Sequence, residues 1–131
     1  MPVVATYEGA SFLIEDEHRR QQGVLTGKSG WQCTVNARSA WQFKADGTIV
    51  AIRPANGIDF SLDELYLLIG DSDHRDGPLC TAPTMICDTI LIAHDEGWVY
   101  DPPMRLNVHA SLITGQPIAG DCCIIPRRTL L

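Results

Sequence analysis

Five cysteines, four histidines and a surplus of carboxylates are the residues of this chain able to carry chemistry. A Cys–His nucleophile needs its thiol within reach of an imidazole that a carboxylate orients. Cys80, in the same turn-rich segment as His74 and Asp76, comes nearest to such a set. Asp95 and Glu96 form a carboxylate pair suited to acid–base work, although in a His94-Asp95-Glu96-Gly97 turn acidic residues also serve turn geometry and solvation. Gly23-Val24-Leu25-Thr26-Gly27-Lys28-Ser29 is similar to a phosphate-cradling loop but has one residue too few between its glycines. Asp71-Ser72-Asp73-His74-Arg75-Asp76-Gly77 opens like a calcium loop, but its third carboxylate comes one residue late and Ala82 stands at the closing position. Zinc takes Cys and His in pairs roughly two to four residues apart. Cys80 and Cys87 are too widely spaced, and Cys122-Cys123 would point to opposite faces of a strand. His74, His94 and His109 converge only if the tertiary fold brings them together, and Ser39 and Ser111 sit in no nucleophile elbow. Spacing therefore assigns no catalytic residue, no metal and no cofactor.

What remains is surface for recognition. Trp31, Trp41, Trp98, Tyr66 and Tyr100 are large amphipathic rings of the kind enriched at binding surfaces. Trp98 and Tyr100 are expected to share one strand face beside the Asp95-Glu96 turn, with Tyr66 off the main apolar stripe of a helix. Together with Asn107, these give the binding candidates Tyr66, Asp95, Glu96, Trp98, Tyr100 and Asn107.

The elements that must position them follow from period and punctuation. Pro2 to Tyr7 reads as a strand. Ser11 predicts a capped helix over Phe12–Gln22 ending at Gly23, although Glu15 to Gln22 has no apolar face. Gly23 to Gly30 reads as a loop and Trp31 to Val35 as a strand. From Ala40 the signals sharpen. Trp41–Lys44 and Thr48–Ile52 flank Asp46-Gly47, a hairpin signature. Ser61-Leu62-Asp63-Glu64 is a capping box, followed by the stripe Leu62, Leu65, Leu68 and Ile69 and a stop at Gly70. Asp71 to Pro83 reads as a surface loop, Met85–Ala93 as a central strand, and Trp98–Tyr100 as its returning partner. Asn107 caps a helix over Val108–Thr114 closed by Gly115, and Asp121–Ile125 is a last strand ended by Pro126. The order β-β-α-β-β-α-β over residues 46–126 predicts a single α+β domain, a mostly antiparallel sheet with two short helices packed on one face.

The stretch from Ile49 to Ile125 resembles a small domain of unknown function found in phage, plasmid and other mobile-element proteins. Phe60–Gly70 corresponds to its Leu-x-x-Leu helix, His94–Gly97 to its acidic turn, Met104–Asn107 to its proline-containing stretch, and Gly120-Asp121 to the entry of its last strand. The helix lacks the family's Gly-Gly end, and prolines precede Met104 instead of separating Leu106 from Asn107. Residues 1–45 have no counterpart. The family carries no established chemistry, so the resemblance implies a fold and a mobile-gene origin.

Composition bounds the function. The 131 residues are 45 % hydrophobic and 20 % charged, a globular profile of single-domain size. Net charge is −6 and the ten Lys and Arg are scattered, which argues against nucleic acid as a partner. No apolar run approaches the roughly 20 residues that cross a bilayer, and the N-terminus lacks the basic start of a signal peptide. A cytoplasmic protein with reduced thiols is expected, and no membrane partner. The resulting expectation is an accessory protein that binds a protein or small-molecule ligand without catalysis. Two alternatives stand beside it: a small hydrolase using a His/Cys or carboxylate site, and a homodimer or larger module in which the N-terminal segment wraps a second copy.

Overall fold

The computed structural model describes residues 3–71, 74 and 77–130, so Pro2 and part of the calcium-like segment lie outside the described residues. The first four strands, β1 (Val3–Tyr7), β2 (Ala10–Ile14), β3 (Gln22–Thr26) and β4 (Gln32–Asn36), form an antiparallel meander in chain order. Alternation explains it: Ala10, Phe12 and Ile14 are buried while Ser11 and Leu13 are half-buried, and Leu25, Cys33 and Val35 continue the inner face. This overturns the helix expected over Phe12–Gln22. Ser11 caps nothing and instead pairs across the sheet with Thr6 and Thr26. The polar run Glu15–Gln21 is exposed connection, turned by the Asp16 carboxylate, which accepts from the His18 and Arg19 amides. The loop expected at Gly23–Gly30 is β3 and its turn.

The second sheet comprises β5 (Ala40–Phe43), β6 (Ile49–Ile52), β7 (Leu79–Pro83), β8 (Thr89–His94) and β9 (Cys122–Pro126), antiparallel throughout in the order β6-β5-β9-β8-β7. Asp46-Gly47 closes the β5–β6 hairpin as expected, with Gly47 at φ +97 and the Asp46 carboxylate accepting from the Thr48 amide at 2.8 Å. The middle pair is displaced from its expected place. The turn at Thr84–Asp88 cuts the Met85–Ala93 run: the Ile86 amide donates to Thr84 Oγ1 and Asp88 adopts φ +60. The strand paired with β8 on this side is therefore Leu79–Pro83, not Trp98–Tyr100, which lies in turns where the Val99 amide bonds the Glu96 carbonyl.

Among the described residues there are two α-helices, α1 (Leu62–Leu68) and α2 (Val108–Thr114), and a short 3-10 turn, Arg127–Thr129, that follows β9. Both halves of the α1 capping box form, at 3.2 and 3.1 Å. Ser61→Ala is expected to cost about 1 kcal/mol, read as a lower urea midpoint at unchanged slope. Leu65 and Ile69 pack on Ile90, Ile92, Cys123 and Ile125. Ala110, Leu112 and Ile113 of α2 pack instead with Leu91, Ala93, Cys122 and Ile124, the alternate residues of the same strands, and with the inner face of the first sheet. The helices thus lie on opposite faces of the second sheet and not on one. Strands β2–β4 supply a layer of this chain's own core through Ala10, Phe12, Ile14, Leu25, Cys33 and Val35.

Candidate functional site

Four of the six candidates fall together after β8. Asp95 and Glu96 are exposed, and the Glu96 amide donates to His94 Nδ1 at 3.0 Å. Trp98 is 49 % exposed and its neighbour Val99 77 %. Tyr100 turns back onto two histidines. Its ring stacks on His74 at 3.7 Å between centroids and meets His94 edge-on at 5.6 Å. His74 Nδ1 lies 2.9 Å from Asp71 Oδ1. Tyr66 stands half-buried on α1, and no hydrogen bond or ring contact joins it to the others among the described residues.

Asn107 is not a ligand-facing residue. It is 0 % exposed. Its Nδ2 donates to the Phe43 carbonyl at 2.8 Å and the Gly120 carbonyl at 2.9 Å, and its Oδ1 accepts from the Ala110 amide at 3.1 Å. It joins β5, the approach to β9 and the first turn of α2.

The Cys80–His74 pairing gains no support from the fold. Cys80 opposes Ala93 and packs on the α2 side, and the partners of His74 among the described residues are Asp71 and Tyr100, not Cys80. Burial first, and then the Asp95 carboxylate, raise the Cys80 pKa, the reverse of what a thiolate nucleophile requires. No group of three or more His, Cys, Asp or Glu suited to a metal occurs among the described residues.

A second arrangement is more pointed chemically. Three hairpin turns meet at one end of the two sheets: Glu8-Gly9 between β1 and β2, Gly27–Gly30 between β3 and β4, and Ala45–Gly47 between β5 and β6. With Arg105, Val108 and His109 they enclose an open groove of about 950 Å³. His109 is only 7 % exposed. Its ring meets Trp31 edge-on at 5.0 Å and Phe43 at 6.3 Å. Among the described residues neither ring nitrogen has a hydrogen-bond partner. Burial holds its pKa below the ordinary imidazole value, so at neutral pH the ring offers one N–H donor and one lone pair. Trp31 lies over Gly27, where any Cβ would collide with the indole. Lys28 and Arg105 border the groove as cations. Of the two carboxylates there, Asp46 is committed to its turn.

No known family, characterised protein or solved structure matches the chain.

The groove's capability therefore rests on its own residues. A neutral imidazole beside an aromatic face and two cations can orient a ligand, and the Ser29 hydroxyl belongs to the same lining. Sequence reasoning missed the site in pieces. Trp31 counted only as one ring among five, His109 only as a zinc ligand, and Lys28 only as part of a failed phosphate loop. Recognising Leu25–Thr26 and Gln32–Val35 as paired alternating strands would have made Gly27–Gly30 a hairpin turn and placed Trp31 at its exit.

Proposed function

We propose that the protein binds a small molecule in the groove between the three turns and does not turn it over. The supporting observation is His109: a buried ring that lines an open groove and whose nitrogens have no partner among the described residues. Such a group costs about 1–3 kcal/mol while unsatisfied, a cost that a ligand's donor and acceptor would offset. A mostly apolar wall with a few convergent polar groups is the usual make-up of a ligand cleft, and Trp31, Val108 and His109 fit it. A protein partner is the second reading, favoured by exposed Trp98 and Val99 beside Asp95 and Glu96.

The mobile-element setting belongs to the same proposal and rests on the order of motifs between Ile49 and Ile125. A cytoplasmic location is proposed with it, in keeping with five free cysteines.

A metabolite library screened by thermal shift and native mass spectrometry tests the binding site. A hit should lose about tenfold or more in affinity with Trp31→Ala, roughly 1.4 kcal/mol, and keep its affinity with Trp98→Ala. A hit lost with Trp98→Ala alone, or a library without hits, would count against the groove.

A further inference from the structure

The ten cations look scattered along the chain, yet the fold gathers three of them. Arg38, Arg53 and Arg128 line one groove of about 720 Å³, and no carboxylate lines it among the described residues. It lies at the opposite end of β5 and β6 from the Asp46-Gly47 turn, and so apart from the His109 groove. The two ion pairs among the described residues are Arg19–Asp16 and His74–Asp71, so none of the three guanidiniums has an acidic partner within ion-pair distance. Acidic groups do stand nearby. Arg38 also borders a hollow containing Glu15 and Asp16, and Arg128 one containing Asp88. Asp59 and Glu64, near the loop that forms one wall, are already committed: Asp59 accepts from Asn56 Nδ2 at 2.8 Å and Glu64 from the Ala55 amide at 2.9 Å.

Three like charges sharing a groove repel one another unless something neutralises them. In a chain of net charge −6, this local excess is specific. Guanidinium forks match phosphate oxygens two at a time, which a lysine ammonium does not. The groove also has an organic wall. Trp41 is held by a 3.1 Å bond from its Nε1 to Ser39 Oγ, and the exposed Ile58 belongs to the same lining. The loop that carries Ile58 is tied in place, since Asn56 Oδ1 accepts from the Ile58 and Asp59 amides at 2.8 and 2.9 Å. That loop need not be ordered on binding.

We propose that this groove binds a nucleoside di- or triphosphate, with the phosphates across Arg38, Arg53 and Arg128 and the organic part against Trp41 and Ile58. A compact ligand is favoured over a nucleic acid because the acidic remainder of the surface repels an extended polyanion.

The test is calorimetric titration of the full chain with ATP, tripolyphosphate and adenosine. ATP is expected to bind, tripolyphosphate about tenfold more weakly, and adenosine not detectably. Each of Arg38→Gln, Arg53→Gln and Arg128→Gln should weaken ATP about five- to tenfold, and the triple variant should abolish binding. Raising salt from about 50 to 200 mM should weaken ATP further, as for any exposed charge contact. These arginines are exposed, so unchanged melting midpoints show that the variants are folded. The proposal is overturned if ATP gives no heat, or if the triple variant still binds it. It also fails if Lys28→Gln with Arg105→Gln removes binding instead, which would move ATP to the other groove. An oligonucleotide or a glutamate-rich peptide that outcompetes ATP overturns it too.

Discussion

Asn107→Ala is expected to destabilise the fold by about 3–5 kcal/mol, seen as a large fall in the urea midpoint, with no folded population at moderate temperature as the extreme outcome. The carboxamide is fully buried and uses both ends. Alanine leaves the Phe43 and Gly120 carbonyls and the Ala110 amide without their partner in apolar surroundings, each at about 1–3 kcal/mol and not fully additive. The loss should far exceed that at the Ser61 cap, whose groups can turn to water. Asn107→Asp sharpens the test, because it keeps the shape and replaces two N–H donors with an oxygen aimed at two carbonyls. Repulsion and burial would raise its folded-state pKa above the ordinary aspartate value. Its destabilisation should therefore be full at neutral pH and fall as pH drops through that raised value, the charge-dependent part being gone below the unfolded value of about 3.9 while the loss of one of two donors remains. An alanine variant within about 1 kcal/mol of the parent would refute the structural role and return Asn107 to the candidate binding residues.

Asn107 also marks what the sequence could and could not disclose. Its capping role is local, as are the Asp46-Gly47 hairpin, the Ser61–Glu64 box and the stop at Gly115, and all four were legible because each signal spans a few residues. The two carbonyls it holds belong to β5 and the approach to β9, and no local pattern points to them. The strand errors have the same origin. β8 and β9 are buried on both faces, so they show no alternation to fix their limits. The turn that takes the start of the Met85–Ala93 run out of the strand is made by Thr84 Oγ1 and a positive φ at Asp88, not by glycine or proline. In β2 the cap signal of Ser11 competed with period-2 alternation, and burial of Phe12 and Ile14 against the second sheet decided for the strand. Both grooves are tertiary products. Trp31 meets His109, and Arg38 shares a groove with Arg53 and Arg128, only once strand order is known.

His109→Phe is expected to raise stability by about 1–2 kcal/mol while reducing ligand affinity in the turn-end groove by tenfold or more. The two effects together separate a binding residue from a packing one. Phenylalanine keeps a planar ring against Trp31 and Phe43 and deletes two nitrogens that have no partner among the described residues, so folding gains what binding loses. His109→Leu guards against the larger ring being overpacked, and should share the affinity loss. The gain should depend on pH. Burial depresses the folded-state pKa of His109, so as pH falls the unfolded chain takes up its proton first, near the ordinary value of about 6.5. Wild-type stability is then lost progressively below that value toward the depressed one. Phenylalanine carries no such proton, and its advantage should widen from pH 8 to pH 5. A variant that is stabilised but still binds would put the ligand elsewhere. Destabilisation by both Phe and Leu would mean that the nitrogens are already satisfied in the free protein, and the case for the groove would fall with them.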